Sequence, residues 1–292
     1  MDGAMPGDCL VTSAATGLDA CPALCGHLHL VAQRDAAGRT FLGRQSFRAP
    51  FHISKPYWDG DVLQVQVVNP TAGILEGDEL DLDIAVSANA SLCVTTPAAA
   101  RAFMMRHAGA SCRQTFTVQP GGWLEYLPEP LYPHAGADYR QSTTLRVERG
   151  GEAAFFDALA PGRVGRGERW AWRRLQMSLA CEYAGEPVLR ECLDGGGEAL
   201  AAAAEFHRTP DAFFGTLVLV TARLTADDPV WATIRAMHGV DRRWIGATEL
   251  RRGGWIVRFI VPGGQAMRDT VAELRRLFTP ALPRLGSDLR KL

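Results

Sequence analysis

The sequence predicts a mainly β fold, with stacked β-hairpins or β-helix-like sheets and a smaller α+β C-terminal portion containing two helices. Three observations carry this expectation. Leu80, Leu82, Ile84 and Val86 alternate with Asp81, Asp83 and Ala85, the period of two of a strand with one buried and one wet face. The segments Val86-Ser-Ala-Asn-Ala90, Val118-Gln-Pro-Gly-Gly122 and Val147-Glu-Arg-Gly-Gly151 each set a valine before a tight turn, and the valines lie 32 and 29 residues apart. Such spacing is typical of solenoids, whose units bury their faces on one another. Beyond Gly195, strand patterns begin to alternate with apolar stripes at helical spacing.

Taken in order, residues 1–25 read as a flexible extension. Met1 to Ala20 carries Asp2 and Asp8 but no Lys or Arg, so it lacks the basic start of a signal peptide. No run approaches the ~18 apolar residues that span a bilayer. The seven cysteines are odd in number and scattered, which fits reduced thiols and a cytoplasmic location better than a disulfide framework. Lysine plus arginine (31) and aspartate plus glutamate (32) nearly cancel, to a formal charge of −1, which argues against nucleic acid or an anionic membrane as partner.

Residues 26–292 read as one domain, with stacked strands over 26–194 and an α+β portion over 195–292 packed on them. Val62, Val65 and Val67 mark a strand before the corner Asn69 to Asp78. Each of the three repeated turns is followed by a short apolar strand: Leu92 to Val94, Trp123 to Leu127 and Ala153 to Phe156. Gly and Asn supply the positive-φ positions that such turns need. The stretch Gly195 to Ala204, with three glycines and an alanine run, marks a seam. Thr216 to Val220 is a buried strand, and Asp228-Pro229 signals a helix start with Val230, Ile234 and Met237 on one face. Strands at Trp244 to Leu250 and Trp255 to Val261 follow. Met267, Val271, Leu274 and Phe278 then outline a helix that Pro280 stops.

Catalytic signatures are missing from the sequence: it has no phosphate loop ending in Lys-Ser/Thr, no Gly-x-Ser-x-Gly elbow and no His-Glu-x-x-His. Gly162-Arg-Val-Gly-Arg-Gly167 imitates a dinucleotide loop but lacks the strand and helix that such a loop requires on its flanks. Cys21, Cys25, His27 and His29 form the one cluster of soft ligands. In a strand the two histidines share a face, which suits Ni or Zn, although the spacing matches no standard zinc pattern; the alternative is an exposed strand with incidental histidines. His107 and His134 stand alone and read as structural or exposed. Asp78, Asp157 and Glu191 each sit beside apolar strand residues. A carboxylate so placed is either partnered internally or lines a wet passage that can pass a divalent cation.

Several blocks in order resemble the family of urease accessory protein UreD, also called UreH. They are Asn69-Pro-Thr-Ala-Gly-Ile-Leu-Glu-Gly-Asp78-Glu-Leu, Thr96-Pro97-Ala-Ala and Trp123-Leu-Glu-Tyr-Leu-Pro128. Gly162-Arg163 with Gly167-Glu168, Pro187-Val-Leu-Arg-Glu191, Phe214-Gly-Thr-Leu and Arg258-Phe259 continue the match, over about residues 26 to 285. The resemblance implies a non-enzymatic β-rich scaffold that takes part in nickel insertion into urease apoprotein. It implies a UreF-type helical partner and a UreG-type GTPase, with Ni2+ held only in transit and GTP used only through the partner. It also implies that Asp78, Asp157 and Glu191 are the acids of an internal nickel path.

The chain departs from the family pattern at Glu76, where a glycine is usual, at Phe103 and Met104, which replace a Tyr-Arg pair, and at Pro130, where an acid is common. Such changes leave the fold intact and bear on partner specificity. Two other classes compete with the scaffold reading: a β-helical carbohydrate-active enzyme using paired carboxylates, and a pure interaction module unrelated to urease.

Overall fold

A computed structural model describes residues 23–289. β1 (Cys25–Arg34) opens a first sheet, and β2 (Thr40–Arg48) pairs antiparallel along its edge. The short β3 (His52–Ile53) and β4 (Tyr57–Asp59) lead into a second sheet, where both pair with β5 (Val62–Val68). The chain then coils. It passes from β5 to β6 (Glu79–Val86) in the first sheet, and back to β7 (Ser91–Thr95) in the second. The bridging β8 (Ala100–Ala102) leads to β9 (Ala110–Val118) in the first sheet, and β10 (Trp123–Leu127) returns to the second. The same alternation continues through β11 (Leu131–Pro133), β12 (Asp138–Val147), β13 (Glu152–Leu159) and β14 (Arg174–Tyr183).

The register explains the spacing read in the sequence. Val86 pairs with Val118, and Val118 with Val147, so the three valines stack as one inward-facing row of a parallel ladder. The strands on either side of each valine turn lie in different sheets. The stacked unit is therefore one coil of a β-helix-like solenoid, closed by a tight turn, and not a hairpin. Asn89 takes a positive φ in the first of these turns, a conformation that asparagine tolerates better than most residues.

After β14 the pairing becomes antiparallel. β15 (Glu186–Gly195) closes the far edge of the first sheet against β14. α1 (Glu198–Phe206) occupies the alanine-rich seam and makes a third helix beyond the two expected. Alanine has the highest helix propensity, but a run of alanines draws no apolar stripe for periodicity to detect. β16 (Ala212–Val220), β18 (Gly254–Pro262) and β17 (Trp244–Leu250) extend the second sheet outward from β13 in that order. α2 (Val230–Met237) starts where Asp228 Oδ1 accepts the Val230 N–H at 3.1 Å, and α3 (Gly264–Phe278) runs to the expected stop.

Three apolar clusters result, one of them around Leu80, Ala110, Leu131 and Leu175 and the other two forming layers. Leu28, Ile84, Leu92, Phe116, Leu124 and Phe155 fill the space between the sheets. Trp123, Leu217, Trp231, Trp255 and Phe278 fill the space between the second sheet and the two C-terminal helices, with Trp231 and Trp255 stacked at 3.8 Å. Full burial of each such side chain contributes roughly 1.5–3 kcal/mol. Among the described residues no helix is long and apolar enough to cross a membrane.

One ion pair pins the helical layer to the sheet. Glu125 on β10 is fully buried and accepts from Arg275 of α3 at 2.6 and 3.2 Å, while Arg275 also donates to the Ser287 carbonyl at 3.1 Å. Removing one partner of a buried pair strands the other charge. Replacing Arg275 by Leu is expected to destabilise the fold by about 3–5 kcal/mol in urea unfolding, whereas an exposed pair such as Arg146–Glu182 is expected to contribute under about 1 kcal/mol.

Candidate functional site

The two ends of the solenoid differ. At one end the coils close in tight turns, and the side chains between the sheets are apolar. At the other end longer connections span Asn69–Asp78, Thr96–Gly109, Pro128–Ala137 and Ala160–Arg173. Between the sheets on that side the alternation of β9 and β12 turns polar groups inward: Cys112 and Gln114 on β9, Tyr139, Gln141 and Thr143 on β12. Phe116, Tyr126 and Phe155 mark the boundary, with Tyr126 stacked on Phe155 at 5.2 Å and Phe116 against both.

The polar groups satisfy one another in part. Thr143 Oγ1 donates to Gln114 Oε1 at 3.0 Å, and the Tyr139 hydroxyl donates to Gln141 Oε1 at 3.2 Å. Around them lies a cavity of about 160 Å³, whose mouth is formed by Asn69 to Ile74, Thr96 to Arg101 and Glu129. Thr96 Oγ1 accepts the Glu129 N–H at 2.7 Å and so ties two of these loops together.

Asp157 sits at the inner end of this cavity and also on the wall of a second one, of about 450 Å³. The second cavity lies between β13, β16 and β18 of the second sheet and β14 and β15 of the first. Its wall carries Glu191 on β15 and Arg258 on β18, which form an ion pair from one sheet to the other. Register makes the row: Asp157 pairs with Thr216, and Thr216 with Arg258, while Glu191 lies on the opposing sheet beside Leu179. Enclosure pushes the Asp157 carboxyl up to about 6, with the Ala158 N–H pulling weakly the other way. Burial likewise pushes the Cys112 thiol up to about 11, and raises the Tyr126 and Tyr139 hydroxyls.

The structure therefore brings Asp157 and Glu191 together and places Asp78 elsewhere. Asp78 is 1% exposed and lines neither cavity. Its Oδ2 accepts the Leu75 N–H at 2.8 Å, and its Oδ1 accepts the Leu24 N–H at 3.2 Å, so it clamps the corner to the start of β1. Glu76 acts in the same way, since its carboxylate accepts the N–H groups of Arg106, His107 and Ala108 at 2.9, 2.6 and 2.8 Å. Those bonds pull its carboxyl down to about 2. The departure from glycine thus locks one mouth-forming corner to the next. Phe103 packs edge-on against buried His134 at 4.5 Å, while Met104 is exposed. Pro130 lies in the short link between β10 and β11.

His27 and His29 do share the outer face of the first sheet, with ring centroids 4.8 Å apart. Their Nε2 atoms are engaged by Ser46 Oγ at 2.8 Å and by Asp81 Oδ2 at 3.0 Å. Cys25 starts the same strand half-buried, and Cys21 lies outside the described residues. Among the described residues no three His, Cys, Asp or Glu side chains are grouped so as to hold a metal ion. The Gly162 to Gly167 segment is a single 3₁₀ turn latched by Arg163 to Glu168. Sequence reasoning missed Arg258, Cys112, Tyr126, Tyr139 and Gln141. Their only signal was polarity at inward positions of strands, which becomes visible once the strand phase is known.

A family model described as "UreD urease accessory protein" matches residues 25–289. A protein of Opitutus terrae named urease accessory protein UreD is 47% identical over 270 residues, which cover 91% of this chain and 98% of that protein. A protein of the same name from Alkalilimnicola ehrlichii is 27% identical over 239 residues, or 82% of this chain and 80% of its own length. Another, from Haloarcula marismortui, is 34% identical over 158 residues, 52% of each chain.

Asp78 and Asp157 are expected to respond differently to substitution. Asp157 has a raised pKa in the fold, so its contribution is most favourable below pH 3.8 and is lost as pH rises through about 6. Asp157→Asn is therefore expected to stabilise the protein by about 1–3 kcal/mol at pH 7.5, with the gain vanishing near pH 4 in thermal or urea unfolding. Asp78→Ala strands two N–H groups and is expected to cost about 2–4 kcal/mol in urea unfolding at neutral pH.

Proposed function

The chain belongs to the UreD family of urease accessory proteins, and from that premise we propose that it serves as the scaffold and nickel conduit in urease maturation. In this reading it carries no catalytic centre. It works in the cytoplasm with a UreF-type helical partner and a UreG-type GTPase, docks on urease apoprotein, and relies on the GTPase for the energy of transfer.

The observation that carries the conduit is Asp157, which borders both cavities, with Glu191 on the wall of the second. A hydrated dication entering at the loop end meets amide and phenol oxygens, then the enclosed Asp157 carboxylate, then Glu191 on β15. Each acid supplies one charge, and the inward groups between the mouth and Asp157 are neutral. Tight cation sites use several anionic or imidazole ligands in fixed geometry. A path of single carboxylates gives brief residence at each, which suits cargo that must leave. Arg258 opposes exit while it holds Glu191, and its side chain, 60% exposed, is open to a competing carboxylate from outside. Asp78 and Glu76 have a different part: they keep the mouth loops in place by holding backbone N–H groups.

Asp157→Leu and Glu191→Leu are each expected to lower nickel content of co-expressed urease by about tenfold, the scale on which groups around a metal act, while co-purification with the partners survives. Full nickel loading in the double variant sinks the carboxylate path. Unchanged urease activity on deletion of the whole gene sinks the maturation role itself.

A further inference from the structure

We infer that the tight-turn end of the solenoid holds a binding site for a singly charged carboxylate, built around Trp123 on the outer face of the second sheet. The site shares no residue with the two cavities of the conduit and does not rest on that reading. Its space is a cavity of about 250 Å³, bordered by the sheet on one side and by Leu282, Pro283 and Arg284 of the C-terminal turn on the other. Register assembles the floor. Trp123 and Glu152 pair on adjacent parallel strands, so their side chains leave the same face one strand apart. Asp61 immediately precedes β5, which lies two strands from Trp123 on the opposite side.

Three donor-bearing side chains border this space. Trp123 is 1% exposed, and its indole N–H has no hydrogen-bond partner among the described residues. Buried donors ordinarily find an acceptor, and leaving one unmet is costly. Trp123 borders neither of the other two cavities, so this is the space from which an acceptor can reach it. Arg223 and Arg284 supply the other donors. Arg223 donates to Glu152 through Nε, at 2.8 and 3.1 Å, and Arg284 donates to Asp61 through Nε, at 3.3 Å. Their terminal nitrogens make no hydrogen bond among the described residues, so each guanidinium keeps N–H groups for a ligand. Thr221 Oγ1 donates to Glu152 Oε1 at 2.7 Å and fixes the acid that holds Arg223.

The chemistry of these groups narrows the ligand. Indole and guanidinium are donors only, so the ligand must accept at several points, as an oxyanion does. A planar carboxylate matches the fork of an arginine. Glu152 and Asp61 already balance the two arginines, so a second negative charge on the ligand would go unmet. A monocarboxylate therefore suits the site better than a phosphate dianion. Bound there, it ties the sheet to the turn that carries Arg284.

The test uses the full-length chain with nitrogen-15 tryptophan, and sodium propionate as the probe at constant ionic strength. Trp123→Phe identifies the Trp123 indole resonance. Propionate is expected to shift that resonance, and to raise the thermal unfolding midpoint by about 2 °C at ten times its dissociation constant. Arg223→Gln and Arg284→Gln, both at partly exposed positions, are each expected to weaken binding about tenfold. The unfolding comparison between the unmutated chain and the double arginine variant needs no change at Trp123, and so stands even where Trp123→Phe fails to fold. An acetylated and amidated Gly-Glu-Gly peptide separates two sources of the carboxylate. A shift with propionate but not the peptide assigns a free acid, and a shift with the peptide assigns an acidic side chain of a partner. An indole resonance that contacts water and ignores both probes overturns the inference, because water then fills the space. An undiminished response in the double arginine variant, or an equal response to sodium phosphate, overturns it as well.

Discussion

The in-register parallel ladder is the constraint on which the molecule depends. Val86, Val118 and Val147 stack because each coil places its strand directly over the last, and the same register aligns Leu63, Leu92, Leu124 and Ala153 in the second sheet. A slip of one residue in β6, β9 or β12 would turn its whole inward row to the outer face of the first sheet. The apolar half of the interior holds this register. The polar half inherits it, and so the positions of Cys112, Gln114, Tyr139 and Gln141 are dictated by valines and leucines a few residues further along the same strands.

That division explains why function gathers at one end. Tight turns allow the sheets to pack closely, whereas the long connections on the other side hold the mouth of a cavity. Loops of that kind stay in place only if their backbone groups find partners. Asp78, Glu76 and Thr96 each accept N–H groups from neighbouring segments, and Glu168 accepts the Ala135 N–H at 3.2 Å while paired to Arg163. The corner from Asn69 to Asp78 is thus a frame for the opening, with its acids occupied by the backbone.

The far cavity has a separate origin. The first sheet ends in β15 and the second continues through β16 and β18, so the regular coils stop at this edge. Between their facing rows lies the second cavity, and the ion pair of Glu191 with Arg258 joins its two walls. Asp157 stands on the walls of both cavities. Its raised pKa follows from its enclosure.

Much of this was legible in the residues alone. The alternation of β6, the recurring valine turns, the strands Trp244–Leu250 and Gly254–Pro262, and the two amphipathic helices each follow from local patterns, and the ordered blocks identify the family. Local pattern also singled out Asp157 and Glu191 as carboxylates among apolar neighbours. Pattern was silent on what each acid faces. Asp78 and Asp157 look alike in sequence, yet one is clamped by two N–H groups and the other borders two cavities. Glu125 reads as one acid in an apolar strand until Arg275, 150 positions away, is folded onto it. The coil, its period and its family could be read from residues a few positions apart, because the interactions that set them are local. Which polar groups share a cavity could not, because it depends on strands from different coils and opposite sheets meeting across the interior.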